Sequence, residues 1–187
     1  MLTIDEIAQC KCSTVITEFF LTSSREMPDA EARDKWINPL TSLLVGTVGN
    51  AALELRRAFR LADWSVREIV PIALYEAGIV DYAAKLRALQ PIVDYRTARQ
   101  AERVISPCVY ANDTAYHAHH AAIGAAFDAA FPGYDETEGA CAAYEAARSA
   151  TYAALTATDK DVIYAMISDI IKELCAMKDE DSGAPNV

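Results

Sequence analysis

TAYHAHHAAIGAAFDAAF (residues 114–131), PGYDETEG (132–139) and ACAAYEAARSATYAALTAT (140–158) are three consecutive pieces whose reading decides the fold. Alanine is the strongest helix former, and it dominates the first and third pieces. At about 100° per residue each of these has two unlike faces. In the first, Tyr116, His120, Ile123, Phe127 and Phe131 share one side, and Ala118, Ala122, Ala125 and Ala129 line the other. In the third, Cys141, Tyr144, Arg148, Tyr152 and Leu155 share one side, and Ala143, Ala146, Ala150, Ala153 and Ala157 the other. Small side chains let helix axes approach near the short end of the roughly 8–10 Å range. The alanine faces are therefore expected to meet, with the larger faces outward and in need of cover from other helices or a partner. Pro132-Gly133 should end the first helix, because proline cannot continue it and glycine accepts a left-handed cap. Asp135, with Glu138 three residues on, should cap the second.

The segments on either side also read as helices. Thr3 and Glu6 form a capping box, with Leu2 and Ile7 as a staple, for a helix expected to end near Leu21 at Thr22-Ser23-Ser24. A short helix follows Pro28 and stops before Asn38-Pro39. A long helix is expected over 40–62, with Leu44, Val48, Ala51, Leu55, Phe59 and Ala62 on one face. Gly46 and Gly49 would mark a close helix crossing there, and Arg56, Arg57 and Arg60 would face solvent. Ser65 and Glu68 read as a further capping box, Pro71 as a kink or early stop, and Gly78 as an end. Helices then run from Val80 to Leu89 and from Asp94 to Ile105. A last one, capped by Thr158, carries Ile163, Met166, Ile167, Ile170, Leu174 and Met177. The expected fold class is all-α: a single-domain helical bundle of about seven to nine helices around a central Ala-rich helical hairpin. The domain should span residues 1–178, with 179–187 as a flexible polar tail.

Composition excludes several classes. The chain has 187 residues, 52% apolar, which supports a real core, and a formal charge of −10. The net charge is −4 over residues 1–32, +3 over 33–103 and −9 over 104–187. An acidic chain lacks the basic patch of a direct nucleic-acid binder and is repelled by anionic membranes. No apolar run approaches the roughly 18 residues of a spanning helix. The start has no basic segment leading into an apolar one, so no secretory signal is expected. Five cysteines are an odd number without framework spacing. That points to a reducing, cytoplasmic setting and to small buried thiols.

Candidate chemistry is sparse. His117, His119 and His120 are the only histidines. His117 and His120 lie one turn apart and could face one ion, but zinc needs further ligands that no HExxH or paired CxxC supplies. No metal and no cofactor is expected. Helical geometry puts His120 at the centre of the large-residue face, as the buried histidine, with His117 and His119 at its edges. Arg148 lies one turn from both Tyr144 and Tyr152. Together with His117 and His120 these residues outline a ligand pocket, where a guanidinium beside hydroxyls suits a carboxylate or phosphate. The bland alternative packs the arginine stem on tyrosine and pairs its head with a carboxylate. A third candidate is the acidic set Asp128, Asp135, Glu136, Glu138, Glu145, Asp159 and Asp161, which would suit a basic partner.

The functional expectation follows from missing chemistry and surplus acid. It is a non-enzymatic binding protein that docks an acidic or aromatic helical surface onto a protein partner, basic or itself nucleic-acid-binding. Small inhibitors, immunity proteins and phage anti-defence proteins act in this way. The alternatives are an enzyme or ligand-binding protein with a site near His117, His120 and Arg148, and a structural protein that self-associates as a homo-oligomer.

Overall fold

Ser13 starts the first helix described in the computed structural model: its hydroxyl accepts the N–H of Ile16 at 3.1 Å, which satisfies one orphan donor of the first turn. The structure describes residues 11–110, 112–130 and 138–179. The expected Thr3–Glu6 box, the Pro132-Gly133 turn and the Asp135 cap lie outside these residues. Helix α1 runs Thr14–Glu26, so it passes through Thr22-Ser23-Ser24 instead of ending there. Thr22 donates to Glu18 Oε1 at 2.9 Å, and Thr22 and Ser23 are both buried. The stop is set by Pro28, whose ring disfavours helical backbone at the residue before it; Met27 is accordingly extended.

Helix α2, Ala30–Trp36, is capped by the Asp29 carboxylate and gives way to a 3₁₀ turn at Asn38–Leu43, with Pro39 in its first turn. The helix expected over 40–62 instead begins at Ala51. Gly46 takes a φ of 76°, which few side chains tolerate, and turns the chain. Asn50 then caps the new helix by accepting the N–H of Leu53 at 2.9 Å. Gly49 marks no helix crossing. A Cβ there would stand 2.6 Å from Cδ2 of Leu53, so the glycine makes room for the first turn of its own helix.

Helix α3 is one rod in three parts: Ala51–Trp64, a π turn at Ser65–Ile69, and Val70–Glu76. Ser65 is therefore no cap. In unbroken α register Pro71 would leave the carbonyl of Arg67 without a donor and crowd it. The π turn widens the register by one residue, with the N–H of Val70 reaching back to the carbonyl of Ser65. The rod thus crosses the proline without breaking. It ends where Gly78 donates to Tyr75 at 3.0 Å and Ile79 to Leu74 at 2.7 Å, a left-handed glycine cap with Gly78 at φ 76°.

The remaining helices are α4 (Val80–Arg87), α5 (Tyr95–Ile105), α6 (Asp113–Ala130), α7 (Glu138–Thr156) and α8 (Lys160–Ala176). Asp94 and Thr97 cap α5 reciprocally. Asp159, not Thr158, caps α8 by accepting the N–H of Asp161 at 3.0 Å; the Thr158 hydroxyl donates to Glu76. The described residues form a single all-α domain of eight helices without strands. No described helix is long and apolar enough to cross a membrane.

Alanines set the packing. Ala118, Ala122, Ala125, Ala143, Ala146 and Ala150 are all 0% exposed, and α6 and α7 pack on each other. Their approach is close enough that a Cβ on Gly124 would meet the backbone nitrogen of Ala142 at 3.2 Å. Helices α1 and α8 pack on α7, α5 packs on α6, and α3 touches both. Phe19 of α1 meets Trp64 of α3 edge to face at 5.7 Å. Ile163, Ile167, Ile170 and Leu174 of α8 are buried.

Arg57, expected at the solvent side, is 1% exposed. Its Nη1 donates to the Thr47 carbonyl at 2.7 Å and to Glu54 Oε1 at 2.6 Å, and its Nη2 to the Met177 carbonyl at 3.2 Å. Glu54 in turn accepts the Ser13 hydroxyl at 2.6 Å and the Val15 N–H at 3.2 Å. This ion pair of a buried arginine and a partly buried glutamate therefore ties together the start of α1, the loop before α3 and the end of α8. The thiols are less uniform than expected. Cys108 is buried and Cys141 exposed, whereas Cys12 is disulfide-bonded.

Candidate functional site

The large-residue faces of α6 and α7 point away from the alanine seam, and the chemistry lies where they adjoin. His117 sits at the α7 edge of the α6 face and is 7% exposed. Its Nδ1 lies 2.6 Å from Oε2 of Glu145. Its ring stacks on Tyr152 at 5.0 Å and meets Tyr116 edge to face at 5.2 Å. His117, rather than His120, is thus the buried and hydrogen-bonded histidine. The correction has a simple cause. The face of which His120 forms the middle points out of the molecule, so the edge residue beside the neighbouring helix is the covered one. His120 is half-buried, with its ring 4.5 Å from that of Tyr116. His119, on the other edge, is also half-buried. Burial, helped by His120 and Arg99 and opposed by Glu102, lowers its pKa.

Arg148 follows Glu145 by three residues on α7, a spacing at which the two would ordinarily pair. Glu145 turns to His117 instead. The Arg148 head is held by hydroxyls: Nη1 donates to Tyr144 at 3.0 Å and Nη2 to Tyr152 at 3.2 Å. Its central carbon lies 5.6 Å from the centroid of each of these rings. Burial weighs against its charge, but the hydroxyls of Tyr152 and Tyr144 outweigh it and raise the pKa, so the group stays cationic. Among the described residues no carboxylate lies within ion-pairing distance of Arg148, whereas Arg57, Arg60, Arg67 and Arg99 each have one. Tyrosine thus flanks the arginine as in the bland expectation, but the contact is made by the head, and no described carboxylate pairs with it.

The structure therefore gathers His117, Tyr144, Arg148 and Tyr152 directly, and reaches His120 through Tyr116. Of the acidic set, three members are described with their side chains, and each is engaged within the fold. Asp135 and Glu136, and the side chains of Asp128 and Glu138, lie outside what is described. Glu145 is committed to His117, Asp159 caps α8, and Asp161 pairs with Lys35 at 2.7 Å. The Lys35 hydrogen bond lowers the Asp161 pKa. Among the described residues, no three His, Cys, Asp or Glu side chains come together as a metal would require. Sequence reasoning missed the His117–Glu145 pair because its members lie 28 residues apart on different helices, and no local spacing announces such a pair.

No protein-family model, no curated protein and no solved structure matches this chain.

Proposed function

We propose that the chain is a non-enzymatic binding protein that docks a protein partner on the outer face of α6 and α7, and inhibits or modulates that partner as immunity and anti-defence proteins do. In this reading α6 and α7 are the central Ala-rich hairpin of the bundle. Their alanines are consumed inward, so their large residues are left for the outside. The observation that carries the reading is the exposure of Tyr116 at 45% and Leu155 at 57% beside half-buried Tyr144, Arg148 and Tyr152. Aromatic side chains and arginine in a partly apolar setting are the residues that dominate binding energy at protein interfaces.

The aromatic form of the reading is better supported than the acidic one, because Glu145, Asp159 and Asp161 are engaged within the fold. A basic or nucleic-acid-binding partner would depend on Asp128, Asp135, Glu136 and Glu138. The test is co-purification from the native host, read by mass spectrometry, comparing the wild type with a folded Tyr116→Ser, Leu155→Ser double variant. A partner retained by the first and lost by the second supports the reading. A partner retained equally by both contradicts it. Light scattering on the purified chain addresses the self-associating alternative, for which a monomer at micromolar concentration is the adverse result.

A second reading, a ligand-binding protein or enzyme with a site at His117, His120 and Arg148, is favoured by one observation: among the described residues no carboxylate pairs with Arg148.

A further inference from the structure

We infer that Arg148, flanked by Tyr144 and Tyr152, is a receptor for a carboxylate group. This inference rests on the second reading above and is separable from partner docking by experiment, since a small-molecule titration succeeds or fails whether or not a protein partner is found. The chain has 27 acidic side chains against 17 basic ones, and among the described residues none of those acids lies within ion-pairing distance of Arg148. The nearest acid along the helix, Glu145, is withdrawn by His117 at 2.6 Å. In its place stand two neutral hydroxyls, which accept from Nη1 and Nη2 at 3.0 and 3.2 Å.

The donor count then favours an anion. Each terminal nitrogen of a guanidinium carries two N–H groups, so one on each remains after the tyrosines are served. Each tyrosine hydroxyl that accepts from arginine keeps its own proton to donate. With the covered Nε–H, which has no partner among the described residues, three N–H and two O–H donors thus belong to one positive charge on a half-buried helix face, and no acceptor in the described structure neutralises that charge. A planar carboxylate matches the fork of a guanidinium. The ring centroids at 5.6 Å on either side add apolar flanks for the body that bears the carboxylate. A dianionic phosphate fits less well, because the last third of the chain is strongly acidic and repels a second charge more than a first.

The test is a titration of the full chain followed by NMR of its arginine side chains at constant ionic strength. The probes are sodium benzoate, its neutral isostere benzamide, and inorganic phosphate. Benzoate should shift the Arg148 resonance saturably, and benzamide should bind at least about tenfold more weakly for loss of the charge-assisted hydrogen bonds. Arg148→Lys keeps the charge but loses the fork and should weaken benzoate by about tenfold. Tyr144→Phe with Tyr152→Phe removes only two hydroxyls and should weaken benzoate several-fold at an unchanged denaturation midpoint. This double variant carries the test if Arg148→Lys does not fold. A non-saturating benzoate shift, or benzoate affinity unchanged in either variant, overturns the inference. So does saturation by phosphate at lower concentration than by benzoate, which would make the site a phosphate receptor.

Discussion

Glu145 faces His117 at 2.6 Å instead of pairing with Arg148 one turn further along its own helix. This choice couples two features of the outer face. It gives the one nearly buried histidine a charged partner, and it leaves the neighbouring guanidinium to two tyrosine hydroxyls. Glu145→Gln keeps a hydrogen-bonding oxygen for His117 but removes the carboxylate's negative charge. We expect only modest destabilisation, whereas Glu145→Ala should cost about 1–3 kcal/mol, because a buried imidazole loses its partner. Chemical denaturation of both variants checks the order; a Gln variant as unstable as the Ala variant would count against the hydrogen bond as the main contribution.

Arg57 should be far less tolerant of change. It is fully covered, and its partners come from three separate parts of the chain. Arg57→Ala leaves Glu54 charged and partly buried, and the expected cost is about 3–5 kcal/mol. A midpoint within error of wild type would mean that the pair does not hold α8 to the start of α3.

The alanine seam predicts a penalty for residues that make good helices. Ala125→Leu and Ala150→Leu should each cost about 1–3 kcal/mol through overpacking. Gly124→Ala ordinarily gains about 1 kcal/mol of helix propensity. Here its new Cβ would crowd the Ala142 backbone at 3.2 Å, and backbone gives way less readily than a flexible side chain. The expected outcome is no gain, or a loss. A thermal melt showing a clear gain for Gly124→Ala would show that the two helices can separate freely.

His119 gives the fold a pH dependence of defined sign. Burial is the main cause of its lowered pKa, with His120 and Arg99 adding to it. The folded state therefore binds this proton less readily than the unfolded state. The stabilisation is fully present above the unfolded pKa near 6.5 and is lost as the pH falls through the lower folded value. Wild type should lose stability as the pH falls below about 6.5, and His119→Gln should lose less. Equal pH dependence in the two proteins would remove His119 as a contributor.

Much of the helical content was legible because alanine content, capping residues and proline are local signals. The α5 start at Asp94 and the α2 stop before Asn38-Pro39 illustrate this. Three errors share one origin. Gly46 and Arg57 are placed by helical period and Ser65 by its capping-box spacing to Glu68, and tertiary structure overrides these local signals each time. Gly46 turns the chain, Ser65 opens a π turn that accommodates Pro71, and Arg57 buries its head to reach carbonyls far away in sequence. Of the site, the Tyr144–Arg148–Tyr152 row was legible from its spacing of four. The His117–Glu145 pair was not, because it depends on how two helices lie against each other.

The most direct measurement of the docking claim compares two pairs of exposed apolar residues. Tyr116→Glu with Leu155→Glu alters the outer face of α6 and α7. Val80→Glu with Val93→Glu adds the same charge at positions exposed at 49% and 67% elsewhere. With folding matched by denaturation midpoint, retention of the co-purifying partner is measured for both. The account predicts loss of the partner with the first pair and retention with the second. Equal retention, or equal loss, would contradict it.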